Sequence, residues 1–315
     1  MRPNALDTYQ ESYYELRLKL KFIDLTGIGF QDFFSDIMEA AFGTQFYRIK
    51  PSGSAGDRKC DGLLRDQGRI FSVYAPEKMK EKETIGKIDE DFEGAVKHWK
   101  DMFSTWVFMH NALRGLNPDV AKHLIEMKSN PYGKEIEKWC LPEIRNIVFS
   151  LDPLIIERLM GPAPSRVSMT GIRMVEIKTV VESIAGASDL GEQRITPPPA
   201  DKIKRNSLSK SVETLLTIGI AKEPLVADFF KKWKDPTLAD NVSTAFRQKY
   251  DELKKEEQDP DVIFMRLQEF AGGATRRSPE IESAILSVLA YLFDRCDIYE
   301  PGEVINGNIA YEASG

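Results

Sequence analysis

The chain has 315 residues, of which 42% are hydrophobic and 29% charged, with a formal net charge of -6. That length and balance predict two domains with full cores, and the net charge argues against a sequence-independent DNA coat, whose affinity comes from Lys and Arg on phosphate. No apolar run approaches membrane-spanning length and residues 1–14 lack a signal or transit pattern, so the chain is expected in the cytoplasm with no membrane partner. Cys60, Cys140 and Cys296 are widely spaced and odd in number, which fits a reducing compartment and excludes a disulfide framework; with three histidines, zinc is disfavoured as well.

In chain order, residues 11–42 read as helix, with Phe30, Phe33, Phe34, Ile37, Met38 and Phe42 at helical spacing and Gly43 at the end. Residues 45–50 alternate as a strand that Pro51 closes. Gly53 and Gly56 then let the backbone turn without a Cβ penalty, and Asp57 and Asp61 fall at the mouth of the next strand. Residues 62–64 and 70–74 are apolar runs flanking the polar turn at 65–68, a hairpin signature with Gly68 where a positive φ is easiest. Carboxylates at such a strand mouth are how many nucleases hold a divalent metal against a phosphodiester. Arg48, Lys50, Arg58, Lys59, Arg65 and Arg69 surround the hairpin as a local basic patch, readable as a DNA-binding rim or as a charge-protected strand edge. A phosphate cradle at residues 53–56 is disfavoured, because no Lys-Ser/Thr opens a following helix.

Residues 76–100 are strongly charged and then helical, with Ile88, Phe92, Ala95, Val96, Trp99 and Phe103 as the apolar stripe and the intervening acids and lysines as its wet face. Residues 106–111 form a buried-strand candidate ending in His110 and Asn111, at the edge where α/β proteins place sites, although a histidine there more often serves as a structural hydrogen bonder. A helix opened by Pro118, then residues 136–140 and a helix over 142–151, add further βα steps. The first domain therefore reads as an α/β sandwich over residues 1–165. A Gly-Pro break at 161–164, an amphipathic helix over 174–184 and the Pro197–Pro199 run make residues 166–199 a bridging helix and linker. Residues 200–315 are helical throughout, punctuated by Pro224, Pro236 and Pro260.

Gly56-Asp57-Arg58-Lys59-Cys60-Asp61-Gly62, followed by Phe71-Ser72-Val73-Tyr74-Ala75-Pro76, resembles the core of PD-(D/E)XK nucleases of the Mrr-like and Lamassu-effector kind. The resemblance implies a restriction-endonuclease-like mixed sheet with flanking helices and a Mg2+ or Mn2+ ion on Asp61, with Asp57 assisting. The match departs from the motif at three places. Ser72 stands where Glu or Gln belongs, Tyr74 where the lysine belongs, and Gln31 is the equivalent of an upstream helix acid. A glutamine is no anionic ligand and a tyrosine a poor cation. Lys78 and Lys80, just past the strand, are the candidates for a migrated lysine, and with Arg58, Lys59, Arg65 and Arg69 they make the expected DNA-binding set.

Residues 198–203, 235–240, 268–273 and 289–298 resemble the C-terminal domain of ABC-three-component conflict-system proteins, which join an effector to an SMC- or ABC-type ATPase and a small middle component. That resemblance implies an effector of an antiviral or anti-plasmid complex, with an all-helical C-terminal domain as assembly platform and a homo-oligomer on activation. Two functions follow: a metal-dependent DNA nuclease using Asp61, Asp57, Ser72, Tyr74 and Gln31, or a nuclease-fold scaffold that grips DNA or a partner without cleaving.

Overall fold

The computed structural model describes residues 5–50, 58–185, 202–272, 278–295 and 297–300. Asp57, the glycines at 53 and 56, the proline run at 197–199 and Cys296 lie outside the described residues. The chain divides into two compact units. One includes Arg17–Gly161, and the other includes Leu6–Leu16 together with the chain from Pro162 onward.

The opening helical stretch is two helices, α1 (Thr8–Asp24) and α2 (Gly27–Phe42), not the single one expected over residues 11–42. Gly27 takes φ +50°, and its N–H donates to the carbonyl of Ala75 at 2.7 Å, so a contact remote in sequence fixes the break. The apolar residues of α2 point inward as their spacing predicts, with Phe30, Phe34, Ile37 and Met38 buried. Next come β1 (Phe46–Arg48), β2 (Gly62–Leu64) and β3 (Arg69–Tyr74). Gly68 closes the β2–β3 turn in the left-handed region at φ 57° and ψ 34°, where a β-carbon would be strained. After β3 follow α3 (Glu81–Trp99), β4 (Thr105–His110), α4 (Pro118–Glu126), β5 (Glu135–Trp139), α5 (Leu141–Val148) and α6 (Pro153–Met160).

Among the described residues these strands form one five-stranded mixed sheet in the order β1-β2-β3-β4-β5. The first three are antiparallel neighbours, while β4 and β5 run parallel to β3 and are reached through α3 and α4. The alternation of β3 sends Phe71 to one face, against Phe34 at 5.2 Å and Trp139 at 5.1 Å between ring centroids. It sends Ile70 to the opposite face, in a buried cluster with Ile88 and Phe92 of α3, Trp106 and Phe108 of β4, and Val120 and Leu124 of α4. Each such fully buried side chain contributes about 1.5–3 kcal/mol. One consequence of the topology is that the start of β2 and the carboxyl ends of β3, β4 and β5 share one edge of the sheet.

The second unit is helical over its described residues: α7 (Arg166–Gly171), α8 (Met174–Ala185), α9 (Lys202–Arg205), α10 (Lys210–Ile220), α11 (Glu223–Lys232), α12 (Leu238–Glu256), α13 (Pro260–Gly272) and α14 (Pro279–Asp294). Every residue of α14 from Glu282 to Phe293 is buried, the pattern of a helix enclosed on all sides. Gly219 of α10 lets that helix approach α14, because a β-carbon there would stand 2.8 Å from the carbonyl oxygen of Leu286. Pro224, Pro260 and Pro279 occupy first-turn positions, where the missing N–H costs nothing. Buried polar groups of this unit are paired within it: the Tyr13 hydroxyl donates to Glu282 at 3.1 Å, and the Ser168 and Ser283 hydroxyls share a hydrogen bond of 2.7 Å.

Candidate functional site at the mouth of β2 and β3

Asp61 immediately precedes β2 and is built into the hairpin by its own backbone. Its N–H donates to the Phe71 carbonyl at 2.9 Å and its carbonyl accepts from Ile49 N–H at 3.1 Å. Its side-chain Oδ2 accepts the Val73 N–H at 2.7 Å. From α2, the Gln31 amide donates to the Val73 carbonyl at 3.2 Å. Two residues singled out 30 positions apart in sequence thus converge on the two polar groups of Val73. Gln31 here is a neutral hydrogen-bond donor, a role that a carboxylate at that position would not fill toward a carbonyl.

Ser72, the neighbour of Val73, is buried, and its hydroxyl donates to Oδ2 of Asp91 at 2.6 Å. Asp91 belongs to α3 and is 2% exposed, which corrects the expectation that the acids of this helix form its wet face. Its other oxygen meets the Lys87 ammonium at 2.7 Å and the Lys59 ammonium at 3.6 Å. Lys59 also pairs with Glu90 at 2.6 Å, and the hydrogen bond from its ammonium holds the Glu90 carboxyl below its ordinary value. Room for the Lys59 stem comes from Gly94, whose hypothetical β-carbon would lie 2.9 Å from the Lys59 β-carbon. A buried carboxylate is tolerated when hydrogen-bonded and paired, and Asp91 has a hydroxyl and two ammonium groups. The sequence carried one faint signal of this: Asp91 lies beside Phe92, three residues after Ile88, on the edge of the apolar stripe.

Tyr74 ends β3 half-buried, with its ring 6.2 Å from that of Phe108 and its backbone in register with His110. His110 is 1% exposed, and its Nδ1 accepts the Ala112 N–H at 3.2 Å. Asn111 donates from Nδ2 to the Pro76 carbonyl at 3.5 Å. The edge therefore runs from Asp61 through Ser72 and Tyr74 to His110.

The basic rim is more locally committed than its spacing implied. Arg69 pairs with Glu137 at 3.0 Å and hydrogen-bonds Gln67, and Lys80 pairs with Glu83 at 2.9 Å. Arg48 meets Asp32, Asp36 and Glu39 of α2. Arg58 is exposed with φ 56°, and its carbonyl accepts the Trp99 indole N–H at 3.2 Å. Arg65 and Lys78 are exposed. The exposed pair of Lys80 with Glu83 is worth about 0–1 kcal/mol, so a phosphate can displace it at small cost.

Two carboxylates, Asp61 and Asp91, therefore anchor on adjacent residues of β3, with the Ser72 hydroxyl at one of them. All are oxygen donors, the chemistry that hard divalent cations take. No cluster of three or more His, Cys, Asp or Glu suited to a metal occurs among the described residues. One or two carboxylates are the protein ligands that a cation keeping several waters, such as Mg2+, takes.

Comparison with known families shows that residues 176–300 match the model for C-terminal domain 10 of the ABC-three component (ABC-3C) systems. The matched residues run from within α8 through α14. No curated protein and no solved structure matches the chain.

Proposed function

We propose, from the premise that residues 176–300 are a C-terminal domain of the ABC-three-component kind, that the chain is the effector subunit of a defence complex. In this reading its α/β unit acts on DNA as a metal-dependent endonuclease, and its helical unit docks it onto an SMC- or ABC-type ATPase and a small middle component. The observation that carries the nuclease half is the Ser72–Asp91 contact of 2.6 Å. The motif lacks an acid at position 72, and a carboxylate from α3 stands at the hydroxyl that replaces it. The strand order, with an antiparallel hairpin followed by a parallel strand reached through a helix, supports a restriction-endonuclease-like architecture.

Asp61 and Asp91 would hold Mg2+ or Mn2+, with Asp57, four positions before Asp61 in sequence, as a further acid. A bound divalent cation supplies Lewis acidity and an activated water at such a site. Ser72 fixes the Asp91 carboxylate by its hydrogen bond, and Val73 N–H fixes Asp61. The Lys59 and Lys87 side chains, about one-third exposed, can turn from Asp91 toward a phosphodiester and offset its charge, the part that Tyr74 cannot play. Arg58, Arg65 and Lys78 extend the contact along the backbone.

A second reading is favoured by the same lysines. With Asp91 neutralised by Lys59 and Lys87, and with Gln31 and Tyr74 at positions of the motif's acid and lysine, the unit would grip DNA or a partner without cutting it. Incubating linear and circular DNA with Mg2+ or Mn2+, the full chain and its ATPase partner separates the two. Cleavage lost in Asp61→Ala supports the endonuclease. DNA binding by wild type with no cleavage under any of these conditions rejects it in favour of the scaffold.

A further inference from the structure

A cavity of about 690 Å3 runs along the outer strand β5 and reaches the carboxyl end of β4, lined by His110, Leu116, Leu124, Ile125, Lys128 and Lys138 among others. Its volume is that of a small-molecule pocket, and the carboxyl ends of parallel strands are where such pockets form. Three observations give it a chemical preference.

The first is an unanswered donor. Because His110 Nδ1 accepts the Ala112 N–H, the proton of the neutral ring sits on Nε2. That Nε2 is buried and meets no hydrogen-bonding partner among the described residues. The ring is held by stacking on Phe108 at 5.8 Å, so it cannot easily turn elsewhere. A buried donor without an acceptor costs about 1–3 kcal/mol, which a ligand oxygen would recover.

The second is charge. Three acids also line the cavity, but each is engaged in the fold: Glu137 with Arg69 at 3.0 Å and the Trp139 indole at 2.9 Å, Glu143 with the Cys140 N–H at 2.8 Å, and Glu135 with the Thr105 hydroxyl at 3.4 Å. Lys128 and Lys138 also line it, and neither has an ion-pair partner among the described residues. The third is the wall from α4 and the loop before it. Leu116 and Leu124 form an apolar floor, and Ile125 is 66% exposed at the rim.

We infer that this cavity binds a small amphiphilic anion, whose oxyanion accepts from His110 Nε2 and faces Lys128 and Lys138 while its apolar body lies on Leu116, Leu124 and Ile125. The site is separate from the Asp61–Asp91 constellation and does not rest on the nuclease reading.

Anilinonaphthalene sulfonate is a suitable probe, because it joins an aromatic body to an anion and fluoresces on leaving water. Titration of the full folded chain is expected to saturate at one tight site per chain, with His110→Phe and Lys138→Ala each weakening binding about tenfold, the loss of about one charge-assisted hydrogen bond or contact. Phenylnaphthylamine, which keeps the body and lacks the sulfonate, should bind about tenfold more weakly than the anion. Should His110→Phe fail to fold by circular dichroism, Lys138→Ala and the neutral analogue carry the test alone. Equal binding of the neutral and anionic probes, unchanged binding in Lys138→Ala, or no saturable site would each overturn the inference.

Discussion

Replacing Ser72 and Asp91 singly and together measures the contact on which the site is built. Ser72→Ala removes one hydroxyl donor to a buried carboxylate, a charge-assisted bond worth about 1.5–3 kcal/mol. Asp91→Asn keeps the shape and removes the charge. Its lysines are about one-third exposed and can swing into water, so their loss adds no more than about 1 kcal/mol in total after solvent screening. The single variants are thus expected to lose about 2 and about 3 kcal/mol, and the double variant about 3 to 4, a coupling of about 1.5 kcal/mol. The assay is urea unfolding followed by tryptophan fluorescence in a Trp233→Phe background, which leaves Trp99, Trp106 and Trp139 of the α/β unit as reporters. Losses that simply add in the double variant would refute the Ser72–Asp91 contact, and with it the placing of an α3 acid at the strand.

Other outcomes follow from the same geometry. Gly94→Ala would press a methyl into the Lys59 stem; overpacking of about 1–3 kcal/mol should outweigh the helix-propensity gain of about 1, read as a lowered urea midpoint. Burial, and secondarily the Lys138 ammonium, holds the His110 imidazole down to about 4. The unfolded chain takes up that proton near pH 6.5, so folding stability is complete above that pH and falls as pH drops toward 4, by at most about 3 kcal/mol. The α/β unit of His110→Phe should lose that part of its acid sensitivity in thermal melts between pH 7 and 4. In the helical unit, the buried Lys202 ammonium donates to the carbonyls of Phe293 at 2.6 Å and Ile298 at 2.8 Å. Lys202→Met should cost about 2 kcal/mol by removing a charged donor from two carbonyls at and just beyond the end of α14, read by Trp233 fluorescence in urea.

The parts of this architecture that local pattern controls could be read from the chain. The apolar spacing of α2, the turn glycine Gly68 and the buried run of β4 each specify their element within a dozen residues, and each lies where its pattern placed it. What escaped was controlled from a distance. The break between α1 and α2 has a local sign in Thr26 and Gly27, but its place is fixed by Gly27 meeting Ala75 across the sheet edge. Asp91 looked like one more solvated helix acid because its partner Ser72 belongs to a strand on the other side of a turn, and its lysines come from a turn before β2 and from its own helix. Gln31 and Asp61 were picked out for their chemistry, but their meeting on the two polar groups of Val73 is a product of the packing of α2 on the hairpin. The cavity beside His110 had no sequence signature beyond the histidine itself.

The most direct measurement is hydrolysis of supercoiled DNA by the full chain, assembled with the proposed ATPase partner in Mn2+, comparing wild type with Asp61→Asn and Asp91→Asn. The account predicts that both variants, folded and still able to bind DNA, lose at least about a hundredfold in rate, as expected when a charged group acting on the transition state is removed. Undiminished cleavage in Asp91→Asn would contradict it.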